Sequence, residues 1–91
     1  MADLGVVYAR QGDHDRALAY QRASLRVFQE LADPHCQAEC LRQLGDTLQA
    51  LGRTTEARAR WRDALAIFEQ LQTTDAEQVR ALLNETPSTP A

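Results

Sequence analysis

The sequence predicts an all-α fold made of two successive helix–turn–helix repeats and a closing helix, and three observations carry that prediction. Among the 91 residues Ala, Leu, Arg, Gln and Glu dominate, whereas Gly numbers 4, Pro 3 and aromatic residues make up only 5%. The dominant side chains lose little rotamer freedom in a helix, and the β-branched and aromatic residues that favour strands are scarce. The chain also repeats itself. Shifted by 40 positions, Leu4, Gly5, Gly12, Ala17, Ala19, Arg22, Leu25, Phe28 and Leu31 recur as Leu44, Gly45, Gly52, Ala57, Ala59, Arg62, Leu65, Phe68 and Leu71. Nine identities over the 28 aligned positions exceed the roughly two or three expected by chance, so the period reads as structural. Finally, the matching residues are small or apolar and recur at three- and four-residue steps, the spacing of one helix face.

The elements follow in order. A first helix is expected over about residues 2–11 and a second over about 14–32, with Gly12 ending the first. A third is expected over about 34–51. Asp33 caps it, and Pro34 stands at the first helical position, where a missing N–H costs nothing. Leu41, Leu44, Leu48 and Leu51 form its apolar stripe, and Gly52 ends it in a left-handed turn. A fourth helix is expected over about 54–72. The inward faces of the second and fourth helices read Ala17, Leu18, Ser24, Leu25, Phe28, Leu31 and Ala57, Trp61, Ala64, Leu65, Phe68, Leu71. A capping box at Thr74 and Glu77 opens a fifth, closing helix over about 75–84, with Ala76, Val79, Leu82 and Leu83 on its apolar side. Residues 85–91 are expected to be a disordered tail.

Size and charge narrow the function. A chain of 91 residues buries about 60–65% of its unfolded surface, little enough to argue against a catalytic cleft. Net charge is −3, and all ten cations are arginines interspersed with acids, which argues against direct nucleic-acid binding. No apolar run has the roughly 18–20 residues of a membrane span, and Met1-Ala2-Asp3-Leu4 does not open a signal peptide. Cys36 and Cys40, four apart on one helix, do not make a disulfide framework, so a reduced cytoplasmic location is expected.

The residues Leu4-Gly5, Tyr8, Gly12, Ala17 and Ser24-Leu25, then Leu44-Gly45, Leu48, Gly52, Ala57, Trp61 and Ala64-Leu65, resemble the tetratricopeptide repeat pattern. The resemblance implies a right-handed solenoid of five helices. Repeat one would cover about residues 1–33, repeat two about 34–73, and the capping helix about 75–84, in one domain over 1–84. Gly5 and Gly45 inside helices mark close crossings, for which Ala17 and Ala57 offer the matching approach. Trp61 fills the large aromatic slot of repeat two. Repeat one has Gln21 there, with Tyr20 beside it as the available aromatic. The packing set is therefore Leu4, Gly5, Tyr8, Gly12, Ala17, Leu25, Phe28, Leu44, Gly45, Leu48, Gly52, Ala57, Trp61, Ala64, Leu65 and Phe68. Residues 44–83 are also similar to the C-terminal repeat region of SARP-type transcriptional activators of actinomycetes.

In such repeats the first helix of each pair lines the concave face, which makes Arg10, Glu39, Arg42, Gln43, Asp46 and Gln49 the candidate partner-binding residues, with Val6 and Ala9 beside Arg10. Repeats that clasp a chaperone's C-terminal carboxylate resemble one another in using Lys and Asn at positions that read Ala2, Val6, Glu39 and Gln43 here, so that activity is not expected. Other constellations have ordinary readings. Arg53, Arg58, Arg60 and Arg62, interleaved with Glu56 and Asp63, read as a solvated helix face. His35, Cys36 and Cys40 fall short of four zinc ligands and read as packing residues, with no metal or cofactor expected. No phosphate loop, nucleophile elbow or zinc-protease helix occurs.

The function expected is non-catalytic protein–protein interaction, as the regulatory or sensor segment of a larger transcriptional regulator. The alternative is a free-standing adaptor or a self-associating structural element. With Leu4, Val6 and Val7 lacking an upstream neighbour, either homo-oligomerisation through the N-terminal end or a piece cut from a longer protein is expected.

Overall fold

The computed structural model describes residues 13–85. Among them are four helices and no strand: α1 (His14–Glu30), α2 (Pro34–Ala50), α3 (Thr54–Leu71) and α4 (Asp75–Glu85). The all-α expectation holds. The expected helix over 2–11, with Leu4, Gly5, Tyr8, Arg10 and Gly12, lies outside the described residues, as does the tail beyond Glu85. Glu85 itself is helical rather than the first residue of a tail. No described helix is long and apolar enough to cross a membrane.

Each helix packs mainly on the next in sequence, so α2 is held between α1 and α3, and α3 between α2 and α4. The turns that allow this share one construction. At the end of α1 the Asp33 N–H donates to Phe28 O (3.0 Å) and the Ala32 N–H to Gln29 O (3.2 Å). The same pair of bonds closes α2, from Arg53 to Leu48 and from Gly52 to Gln49, and α3, from Thr73 to Phe68 and from Gln72 to Glu69. This six-to-one and five-to-two pattern requires a left-handed residue just past the helix. Ala32 (φ 52°), Gly52 (φ 78°) and Gln72 (φ 56°) occupy that place, 20 residues apart. The 40-residue period is thus two 20-residue helix-and-turn units.

At the first two of these turns the residue after the left-handed position is the N-cap of the next helix, whereas α4 starts only at Asp75, three residues past Gln72. Asp33 closes α1 with its N–H and caps α2 by accepting the Cys36 N–H (3.2 Å), and Asp13 caps α1 likewise through Arg16 N–H (3.1 Å). Arg53 provides no side-chain cap for α3. The expected capping box at Thr74 and Glu77 does not form. Backbone bonds from Ala76 to Thr73 O and from Glu77 to Thr74 O close that turn instead.

The core runs through Leu18, Ala38, Leu41, Leu44, Leu48, Ala57, Trp61, Ala64, Phe68, Ala76 and Val79, with Leu25, Leu65, Ile67, Leu82 and Leu83 against its edge. Ala17 and Cys40 are fully buried as well. Leu31, Leu51 and Leu71 are exceptions to the predicted apolar faces, and Leu31 is 67% exposed. They stand where the chain leaves the helix, so the helical repeat continues in sequence after the packing face has ended.

The shared turn predicts opposite outcomes for two substitutions. A non-glycine residue in the left-handed region is strained, so Ala32→Gly should stabilise the fold by about 0.5–1 kcal/mol and Gly52→Ala should destabilise it by about 1–2 kcal/mol. Urea midpoints measured by circular dichroism check both signs.

Candidate functional site

Helix α2 is the element around which a site can be built, because it is buried on two sides and open on a third. Toward α1, Thr47 Oγ1 donates to Gln21 Oε1 at 2.9 Å, and both side chains are buried. Gln21 therefore fills its own slot as a hydrogen-bonded polar residue, and Tyr20 stays half-buried beside it. Toward α3, the Trp61 indole lies over Gly45. A Cβ placed on Gly45 would overlap Nε1 and Cδ1 and stand 2.9 Å from Cε2. The close approach foreseen at Gly45 is thus made by the Trp61 ring rather than by Ala57.

Glu39, Arg42, Asp46 and Gln49 follow one another at three- and four-residue steps and share one helix face, with Gln43 beside them. Glu39 and Asp46 are exposed, and Arg42, Gln43 and Gln49 are half-buried. Arg10 lies outside the described residues. Among the described residues, buried side-chain polar atoms without hydrogen-bond partners occur on His14, Ser24, Arg58 and Thr73, and three more lie here: Arg42 Nε, Gln43 Oε1 and Gln49 Oε1. Such atoms are costly to leave unpaired, and a ligand that supplied one acceptor and two donors would satisfy them.

Arg42 and Asp46 also serve the fold. Trp61 Nε1 donates to Arg42 O and to Asp46 Oδ1, each at 3.2 Å. Asp46 is exposed as a residue, yet its carboxyl leans on the indole, and the resulting loss of hydration raises its pKa. Nearby Arg42 and the Trp61 hydrogen bond only partly offset this.

Other predicted residues are committed elsewhere. Arg53 forks onto Glu56 (2.8 Å), Arg60 pairs with Asp63 (3.2 Å), and Arg58 Nη1 donates to Leu83 O (2.8 Å), capping the end of α4. Cys40 is a buried thiol pushed up to about 11, chiefly by burial, which suits the packing role read from sequence. Sequence reasoning missed a groove of about 330 Å³ on the opposite side of α2. Leu44 and Leu48 form its floor, Leu25 and Ala59 its walls, and Arg22 and Arg60 stand in its lining. The 200° turn separating Leu44 from Arg42 was the available signal.

A family model described as tetratricopeptide repeat matches residues 1–70. The chain is similar to a regulatory protein, AfsR, of Streptomyces griseus, 32% identical over 81 residues, which are 89% of this chain and 8% of that protein. It is also similar to AfsR of Streptomyces coelicolor (strain ATCC BAA-471 / A3(2) / M145), 50% identical over 40 residues, which are 44% of this chain and 4% of that protein. The chain spans less than a tenth of the length of these relatives. No solved structure matches it.

Two outcomes are expected of the α2 face. Gly45→Ala should lose about 1–3 kcal/mol, and most of that loss should vanish in a Trp61→Leu background, where no ring occupies the space. For Asp46, a raised pKa means that the folded state holds its proton to higher pH than the unfolded state, so stability falls as pH rises through that window. Asp46→Asn keeps the oxygen that accepts from Trp61 and removes the charge. The variant should therefore have the higher urea midpoint at pH 7, with the gap closing at pH 3.

Proposed function

Because this chain belongs to the tetratricopeptide repeat family, we propose that it is a non-catalytic protein-interaction module, and that it serves as the regulatory or sensor segment of a larger bacterial transcriptional regulator. The family match supports the first part, and similarity to proteins named as regulatory supports the second. The four described helices are read as part of a right-handed solenoid in one domain over 1–84, with repeats at about 1–33 and 34–73 and α4 as the closing helix. A cytoplasmic location goes with that role.

The observation that carries the binding reading is the row of unpartnered polar atoms along α2, at Arg42 Nε, Gln43 Oε1 and Gln49 Oε1. Rigid packing of α2 against α1 and α3 fixes these side chains before any partner arrives, which lowers the ordering cost of binding. The partner segment is protein or peptide, held by charge-assisted and amide hydrogen bonds from Arg42, Gln43 and Gln49, with Glu39 at one end. Asp46 acts mainly by holding Trp61 in place. Binding would bear on the position of α2, and from there on whatever domains the regulator carries.

The test is affinity capture with identification of retained proteins by mass spectrometry. The native chain is compared with Arg42→Glu/Gln43→Glu and with Arg26→Glu, whose site on α1 is exposed. One and the same protein should be retained by the native chain and by Arg26→Glu, and reduced at least tenfold by the double variant at unchanged helicity. Equal retention by all three would move the site off α2. Retention of this chain alone would favour self-association over a separate partner.

A further inference from the structure

Beyond the interaction face, the geometry points to a metal site at the first turn of α2, in which His35 Nδ1, Cys36 Sγ and a Glu39 carboxylate oxygen hold a divalent ion of the zinc class. These three donors lie within 4.8 Å of one another. His35 and Glu39, at i and i+4, share one helix face, and Cys36 comes within reach of both from the adjoining position. An imidazole, a thiolate and a carboxylate together suit zinc or cobalt rather than calcium or magnesium, which take oxygen donors.

Two distances favour ligation over a plain ion pair. His35 Nδ1 stands 3.6 Å from Glu39 Oε1, too far for a hydrogen bond. Two donors held at about 2.0–2.1 Å around a tetrahedral ion stand roughly 3.3–3.4 Å apart, so the pair is already near its ligating separation. The other ring nitrogen, Nε2, faces Asp75 Oδ2 of α4 at 3.4 Å. A carboxylate behind a histidine is the usual outer-shell partner of a metal-bound imidazole, and a small closure of this pair to hydrogen-bond distance would keep the proton on the far nitrogen and turn the near one toward the ion. The ring is also held edge-on against Phe68, with centroids 5.9 Å apart.

On binding, the Cys36 thiol gives its proton to solvent, the ion takes three protein donors, and water completes the tetrahedron. Cys40, one turn further along and fully buried, takes no part. The ion would tie the start of α2 to Asp75 and so to the start of α4, at the Glu39 end of the polar face.

The experiment uses the full chain, reduced and metal-free, titrated with cobalt(II) chloride while the near-ultraviolet thiolate-to-cobalt charge-transfer band and the visible bands of tetrahedral cobalt are followed. Saturation at one equivalent is expected. The charge-transfer band should be absent in Cys36→Ser and unchanged in Cys40→Ser. Affinity should fall at least about tenfold in Glu39→Gln and in His35→Gln, and by about tenfold in Asp75→Asn. Circular dichroism of each variant separates loss of ligands from loss of fold, and Cys36→Ser, a conservative change near the surface, keeps the test decisive if another variant unfolds. Absence of the band in the native chain, its survival in Cys36→Ser, or saturation at half an equivalent with dimerisation would overturn the site.

Discussion

The indole of Trp61 lying across Gly45 joins α2 to α3, and the rest of the structure is arranged around it. One bulky ring can approach the α2 backbone only because position 45 carries no side chain. Once there, its N–H reaches both the Arg42 carbonyl and the Asp46 carboxylate. The ring brings α3 close enough for Ala57 and Ala64 to pack without gaps, and both are fully buried. On the other side of α2, Gln21 and Thr47 do the corresponding work with a single buried hydrogen bond. The two sides differ in kind. The apolar ring contributes area and tolerates small displacements, whereas the buried amide and hydroxyl need each other and fix the register of α1 on α2.

Much of the fold was legible because turns and faces are written locally. The sequence places the third helix at 34–51, against an observed Pro34–Ala50, since Asp33, Pro34 and Gly52 are strong punctuation. What escaped reading was the finer 20-residue unit. Only Gly52 announces a left-handed turn; Ala32 and Gln72 adopt the same conformation without a residue type that favours it. The backbone bonds from Asp33 to Phe28 and from Thr73 to Phe68 hold the turn there. Leu31, Leu51 and Leu71 misled for the complementary reason. They keep the repeat's period in sequence at the very end of a helix or just past it, where the packing face has ended, so periodicity alone assigned them to the core.

The candidate face was legible to the same depth and no further. Helical arithmetic suffices to gather Glu39, Arg42, Asp46 and Gln49 on one side of α2. It cannot tell which of them the fold already employs, and Asp46 is engaged by a tryptophan fifteen residues away. In the same way, His35, Cys36 and Glu39 are visible as neighbours in sequence, but two cysteines on one helix read as filler for both. The structure separates them. Cys40 is enclosed and inert, whereas Cys36 is half-buried, next to a histidine whose ring stands edge-on to Phe68 and 3.4 Å from Asp75. Asp75 lies 40 residues along the chain, so its contribution appears only when α4 comes alongside α2.

Helix α4, whose Asp75 meets α2 at His35, has the fewest buried side chains of the described helices. Helix α4 is short, and among the described residues its buried side chains are only Ala76 and Val79. Leu82 and Leu83 pack at the edge of the core, and further ties include Arg80 to Glu69 at 2.6 Å, Arg58 to the Leu83 carbonyl, and Asp75 to His35. The Arg80–Glu69 and Asp75–His35 pairs are largely exposed, and such pairs contribute about 0–1 kcal/mol each. By contrast α2 and α3 share Trp61, Leu41, Leu44, Leu48 and Phe68. Local opening draws on the least buried contacts first, so α4 separates from the stack before α2 leaves α3. On the reading proposed above, a partner or an ion engaging Glu39 and His35 would act beside this less buried helix, while Trp61 and Gly45 keep the face it engages rigid. In that proposal the well-buried α2 would present the polar atoms, and α4, with the fewest buried side chains, would be the first to respond.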